Sequence, residues 1–238
     1  MEKSSFITIE DVSACLGVSV REASKMLASS SLHPKKISGA VSYERNELMG
    51  WLQRTMGTLT LEKLRDADIS GRSKTGLDPS TPFVRSLLEA GGVYPDVPAK
   101  TASSVLRRIA AIACETGRVY DCGLLTDLLT ERERVWSTAL PVGVAFPHPV
   151  DSRRIYLEDN LLILARTCCP IPFGEPSGRL TSLYFLLLFE NPASHLHVLA
   201  RLNRIIRMKG LVERLVTAET GLDMLDTIIE AEEGLLTA

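Results

Sequence analysis

His148 stands between Pro147 and Pro149, at the end of the apolar stretch Val142 to Phe146, in a setting through which no helix can run. Pro149 biases the histidine toward extended backbone and Pro147 fixes its own φ, which predicts a stiff loop at a strand end with an exposed imidazole. A largely neutral imidazole held this way is free to act as nucleophile, base or ligand. Taken alone, the same residues also fit an ordinary loop histidine between two turn-forming prolines. Two further side chains bear on that choice. Read as a helix turning about 100° per residue, the segment 122–135 puts Leu125, Leu128, Leu129 and Arg132 on one face and turns Arg134 away. A guanidinium that ends an apolar stripe either reaches out to solvent or meets an anion. In the segment 194–208, with Ser194 or Asn191 as N-cap and Pro192 near the first turn, Leu196, Leu199, Leu202 and Ile206 mark the buried side. His195 falls inside that arc and His197 roughly opposite, toward solvent. An inward imidazole at a helix N-terminus suits an anion, although a core histidine bonded to a carbonyl fits as well.

Together, a positioned imidazole, a second imidazole at an anion-friendly helix end and an inward arginine suit a transiently phosphorylated histidine, because phosphoryl transfer needs positioning and charge compensation above all. The chain contains no Walker loop and no metal–carboxylate cluster, so neither a metal nor a cofactor is called for, and the phosphoryl group is expected from another protein.

These residues need a scaffold, and 238 residues with a formal charge of -2 allow one medium domain plus a small one. Near-neutral charge argues against bulk electrostatic binding of nucleic acid. The longest apolar runs, Leu183 to Phe189 and Leu161 to Ala165, are far short of a membrane span, and no signal pattern opens the chain, so a cytoplasmic protein without membrane insertion is expected. Cys15, Cys114, Cys122, Cys168 and Cys169 lack paired spacing and are read as reduced thiols, mostly in the core. Helices are predicted at about 101–116, 121–136, 194–209, 211–218 and 221–232, and strands at 142–146, 157–167 and 179–190. That order predicts an α/β sandwich.

Residues 1–56 carry their own punctuation. Thr8 to Asp11 forms a helix-start box, Gly17 closes the first helix, and Ser19 to Glu22 starts a second that runs to about Ser29: a helix-turn-helix pattern. Lys35 to Ser38 and Val41 to Arg45 flank Gly39-Ala40 as a small hairpin or wing would, and Asn46 is expected to cap a last helix carrying Leu48, Trp51 and Leu52. Arg21 and Lys25 on the second helix, with Lys36 and Arg45 on the wing, are the candidate DNA contacts. Residues 1–55 hold seven Lys/Arg against six Asp/Glu, a net of +1, which is meagre for phosphate-driven affinity, so a protein-binding role stays open. From 57 to 82 the apolar content falls and Ser70 to Gly76 has the composition of a flexible joint, so 57–82 is read as a linker and 83–238 as the main domain.

Thr130-Glu131-Arg132-Glu133-Arg134, Ser137-Thr138, Val142 to His148, Phe185 to Asn191 and Ser194 to Leu199 resemble, in order and spacing, the mannitol/fructose/nitrogen class of enzyme IIA domains of the bacterial phosphotransferase system. The resemblance covers about residues 83–232. It implies a three-layer sandwich with a mixed sheet, phosphorylation at a ring nitrogen of His148 by a histidine-containing phosphocarrier protein, and supporting roles for Arg132 and His195. Two departures stand out: Ser137-Thr138-Ala139-Leu140-Pro141 replaces the family's glycine-rich stretch, and Pro149 stands where a glycine often follows the histidine. Residues 6–53 resemble an appended winged helix-turn-helix module of the excisionase/MerR type, through Leu16-Gly17-Val18-Ser19 and Glu47-Leu48 with Trp51-Leu52. The expected function is nitrogen-type phosphotransferase regulation through DNA or a target protein, with a homodimer as one possible form. A phosphocarrier serving a separate enzyme IIB and an unphosphorylated adaptor are the alternatives.

Overall fold

The computed structural model describes residues 6–37, 39–70, 77, 78 and 80–237. The chain divides into two compact units, Met1–Pro79 with Asn191–Arg204, and Ser80–Glu190 with Ile205–Ala238.

In the first unit, β1 (Phe6–Thr8) leads into α1 (Ile9–Leu16), whose Thr8–Asp11 capping box closes through two 3.3 Å bonds. Gly17 then turns left-handed at φ 65°, and a Cβ there would lie 2.4 Å from the Asp66 carbonyl oxygen. Glycine is thus required both for the turn and for the close approach of a later helix. Ser19 caps α2 (Val20–Ala28) by accepting from the Glu22 amide at 3.2 Å. The strands β2 (Lys35–Ile37) and β3 (Ala40–Glu44) pair antiparallel, and among the described residues β1, β3 and β2 form a three-stranded sheet in that order. The next helix, α3 (Arg45–Thr58), is capped by the Glu44 carboxylate on the Glu47 amide rather than by Asn46. Arg45, expected on the wing, is therefore the first residue of this helix.

Residues read as a linker contain α4 (Leu61–Ser70), which buries Leu64, Ala67 and Asp68. Its charged sequence disguises a helix that meets the rest of the unit on a narrow apolar strip. Gly71 to Gly76 lie outside the described residues.

The second unit opens with two elements that sequence periodicity did not reveal, α5 (Phe83–Gly91) and β4 (Val93–Val97). There follow α6 (Ala102–Glu115), α7 (Cys122–Val135), β5 (Ala139–Leu140), β6 (Val144–Ala145), β7 (Leu161–Ile171) and β8 (Thr181–Leu188). The helix α8 (Pro192–Ile206) crosses from one unit to the other, and α9 (Leu211–Thr217) and α10 (Gly221–Thr237) complete the chain. Among the described residues a five-stranded mixed sheet runs β4-β7-β8-β6-β5, with β4–β7 and β6–β8 parallel and the remaining pairs antiparallel. Ile163, Ala165, Tyr184 and Leu186 pack with α6 and α7 in one apolar cluster, while Leu162, Leu164, Phe185 and Leu187 of the opposite parity are also fully buried. A sheet covered on both faces explains why β7 and β8 read as continuous apolar runs rather than alternating ones. No helix among the described residues is long and apolar enough to cross a membrane.

Two polar fasteners hold the second unit. Arg166 donates to the carbonyls of Pro95, Leu215, Val216 and Ala218, closing the C-terminal end of α9. Pro82 gives α5 no side-chain cap; the buried Glu232 carboxylate accepts from the Val84 amide at 3.0 Å and the Arg85 amide at 2.9 Å instead. Replacing it strands two helix-terminal donors. Glu232→Ala is expected to lower stability by about 1–3 kcal/mol, with the exposed Glu233→Ala near neutral. Urea titration checks this: a midpoint unmoved in Glu232→Ala would refute the cap, and an unchanged slope would place the effect in the native state.

The cysteines depart from expectation. Cys114 and Cys122 form a disulfide, with Cα atoms 6.1 Å apart, because the short reversal from α6 to α7 brings a last-turn residue against a first-turn one. Cys168 and Cys169 are exposed and Cys15 is half-buried, so these are not core thiols.

Candidate active site

The predicted strand 142–146 shrinks to β6, because Gly143 (φ 79°) donates to the Leu140 carbonyl and forms a turn. Pairing continues beyond β6: the Phe146 amide donates to the Thr138 carbonyl and the Pro147 carbonyl accepts from the Leu187 amide at 3.0 Å. His148 therefore projects from a backbone gripped up to its last residue. The Phe146 ring rests against Phe185 at 5.7 Å between centroids.

The His148 side chain is 3% exposed, which corrects the expectation of an exposed imidazole. Its Nδ1 lies 2.7 Å from the Phe146 carbonyl oxygen, and Arg132 Nε donates to its Nε2 at 3.0 Å. Because a guanidinium can only donate, Nε2 must carry a lone pair and the proton must sit on Nδ1, where it donates to Phe146. The ring is thus held as one neutral tautomer with its lone pair on the nitrogen beside a cation. Arg132 is 6% exposed and also donates through Nη1 to the Trp136 carbonyl at 2.7 Å, a contact that closes the end of α7. Arg134 is exposed on the other side of the helix.

Glu133 is a site residue that sequence periodicity did not single out. Its carboxylate accepts from Ser137 Oγ at 2.7 Å, the Thr138 amide at 2.7 Å and Thr138 Oγ1 at 2.9 Å, and so fixes the strand that pairs with β6. Burial pushes its carboxyl above the ordinary range, opposed by those hydrogen bonds and by the neighbouring Arg132 charge. The available signal was a carboxylate four and five residues before a Ser-Thr pair.

His195 belongs to the first unit. Asn191 Oδ1 accepts from the Ala193 amide at 3.0 Å, so Asn191 caps α8 with Pro192 as its first residue. His195 is 5% exposed, and its Nε2 lies 3.2 Å from Gln53 Nε2 on α3. The amide nitrogen can only donate, so this ring nitrogen is the acceptor. His197, expected in solvent, is 2% exposed: its Nε2 lies 3.1 Å from Asp68 Oδ1 on α4, and Arg201 Nε donates to Asp68 Oδ2 at 2.6 Å. Arg204 Nη1 meets the same oxygen. Burial would push the Asp68 carboxyl up, but the hydrogen bonds from His197 and Arg201 and the charges of Arg201 and Arg204 outweigh it and hold the group below the ordinary carboxylate range. The structure thus brings Arg132 to His148, and brings His195 to Gln53.

Arg21 and Lys25 are exposed on α2, in a groove of about 820 Å³ that they line with Glu22, Ser24, Ser29 and Lys63. Lys63, on α4, pairs with Glu22 at 2.5 Å. Lys36 is exposed on β2, while Arg45 is half-buried beside Asp11 and Met49.

A nitrogen regulatory protein of Bradyrhizobium diazoefficiens is 30% identical over 134 residues, covering 56% of this chain and 85% of that protein. A fructose-specific EIIA component of Haloferax volcanii is 26% identical over 138 residues, covering 57% and 88%. The crystal structure of the nitrogen regulatory protein IIA-Ntr from Neisseria meningitidis superposes with a TM-score of 0.55 at 24% identity, covering 61% of this chain and 99% of that one. IIA mannitol from Escherichia coli superposes at 0.50 with 18% identity, covering 57% and 94%. Both structures share the mixed α/β fold. The model of the phosphoenolpyruvate-dependent sugar phosphotransferase system EIIA 2 family matches residues 86–231, and the chain belongs to that family.

Proposed function

We propose that this chain is a regulatory protein of the phosphotransferase system that accepts a phosphoryl group on His148 Nε2 from a histidine-containing phosphocarrier protein. The observation that carries the reading is the tautomer: Nδ1–H donating to the Phe146 carbonyl leaves the lone pair on Nε2, and Arg132 stands beside it. In the reaction that lone pair attacks phosphorus, the phosphorus–nitrogen bond to the carrier's histidine breaks, and its electron pair returns to the carrier's ring. Arg132 exchanges its hydrogen bond to Nε2 for bonds to phosphoryl oxygens. The proton on Nδ1 stays with Phe146, which steadies the positive charge of the phosphorylated ring. His195 is assigned a supporting role from its place in the family motif. Relatives named as nitrogen regulatory proteins favour regulation over sugar transport. Incubation of the full chain with phosphoenolpyruvate, enzyme I and a histidine carrier, followed by intact mass and acid-lability measurements, tests the reading. An unchanged mass leaves an unphosphorylated adaptor, and onward transfer to an enzyme IIB would make it a carrier.

We further read residues 1–56 as a winged helix-turn-helix module that contacts DNA through Arg21, Lys25 and Lys36, with Arg45 in a supporting position. One module is expected to bind weakly and with strong salt dependence, and useful affinity requires a homodimer placing two modules on successive half-sites. Titration of the full chain against labelled genomic fragments at two salt concentrations checks this. No binding at low salt, or binding unchanged in Arg21→Ala/Lys25→Ala, makes the module a protein-docking domain.

A further inference from the structure

The helix α8 has a double membership. By sequence it lies inside the family match at 86–231, yet by packing its residues through Arg204 belong with residues 1–79. The Neisseria relative is covered over 99% of its length by 61% of this chain, so it has no counterpart to most of the N-terminal 79 residues. In a fold of that size the face of α8 that carries His197, Arg201 and Arg204, at spacings of four and three, has neither α3 nor α4 to cover it. In this chain the face is covered. His197 and Arg201 are 2% and 0% exposed, and the carboxylate of Asp68, also 0% exposed, meets His197, Arg201 and Arg204. Two residues before that cluster Gln53 engages His195.

An interface built on ion pairs separates differently from an apolar one. Each ion regains its hydration when the surfaces part, so the desolvation cost of burial is recovered on release. Loss of the Asp68 carboxylate alone, by contrast, leaves His197, Arg201 and Arg204 with donors facing a site that no longer offers charge. These properties fit a contact that locks strongly and still opens. They also matter for chemistry, because an imidazole nitrogen that accepts from Gln53 cannot at the same time donate a proton to a phosphoryl oxygen.

We propose that α3 and α4 form an intramolecular clasp on α8, in which Gln53 occupies His195 Nε2 and Asp68 gathers His197, Arg201 and Arg204, and that phosphoryl acceptance proceeds from the released state. The inference rests on the functional reading above, and two readouts on the full chain separate them. The first is carbethoxylation of the histidines by diethylpyrocarbonate, mapped by peptide mass, with the exposed His33 as internal standard. In the wild type His195 and His197 should react at least tenfold more slowly than His33, and in Asp68→Asn both should approach its rate. The second is the rate of phosphoryl acceptance, which should rise at least threefold in Asp68→Asn. Gln53→Ala, a half-buried position outside the Asp68 cluster, should raise carbethoxylation of His195 but not of His197, together with the rate of phosphoryl acceptance, and covers the case in which Asp68→Asn fails to fold. Protection unchanged in the folded variants overturns the clasp. Histidines released with phosphorylation no faster overturn its control of the reaction while leaving His148 as acceptor. No phosphorylation of any variant, with the histidines released, refutes the functional reading and with it that control, while the physical contact stands.

Discussion

His148→Ala is expected to accept no phosphoryl group under conditions in which the wild type is fully modified, because the substitution removes the lone pair that points away from its own backbone and toward Arg132. The fold should survive. The ring donates to the Phe146 carbonyl and accepts from Arg132, and losing such a bond costs about 1–3 kcal/mol when a partner stays buried. Pairing of the backbone before it, through the Thr138 carbonyl and the Leu187 amide, does not depend on the side chain. Intact mass after incubation with the donor system, together with a thermal unfolding curve, separates loss of the acceptor from loss of structure. Modification that persists in a folded His148→Ala protein would move the acceptor elsewhere, and His195 would be the next residue to replace.

Local periodicity makes part of this site legible in the amino-acid sequence. Arg132 can be turned inward and Arg134 outward because α7 is long, regular and apolar on one side, so phase alone settles both. The Pro-His-Pro step likewise marks His148 as the end of a pairing segment. What the sequence withholds depends on partners far along the chain. His197 reads as solvent-facing because Leu196, Leu199 and Leu202 already supply α8 with a core side, and nothing nearby announces that Asp68, 129 residues earlier, covers the other. A helix apolar or paired all round is buried all round, and α8 reaches that state only with α4 present. That helix is itself hidden in a polar stretch beside a glycine- and serine-rich run, where a thin strip of Leu64 and Ala67 suffices to dock it. The strand β4 is obscured by Pro95, which is tolerated there because β4 is an edge strand. Burial of His148 has no local signature at all, since a loop's exposure is set by what lies over it.

Arg132→Lys is expected to slow phosphoryl acceptance by about 10–100-fold, a loss of roughly 1.4–2.7 kcal/mol in the barrier. In the structure the guanidinium divides its donors, with Nε on His148 Nε2 at 3.0 Å and Nη1 on the Trp136 carbonyl at 2.7 Å. Its planar fork fixes the angle between those two bonds, so closing the end of α7 also sets the cation against the reactive nitrogen. An ammonium on a flexible stem has no such fork and can satisfy the carbonyl or the ring, but does not tie one to the other. It also offers a point charge where a guanidinium offers paired donors to phosphoryl oxygens. Arg134→Lys is the control, since that side chain is exposed on the opposite side of the same helix and should leave the rate unchanged. Pseudo-first-order rates of acid-labile modification, measured with the carrier in excess, check the pair. Equal rates for the two variants and the wild type would strip Arg132 of any special role and would make its contact with His148 a structural one only.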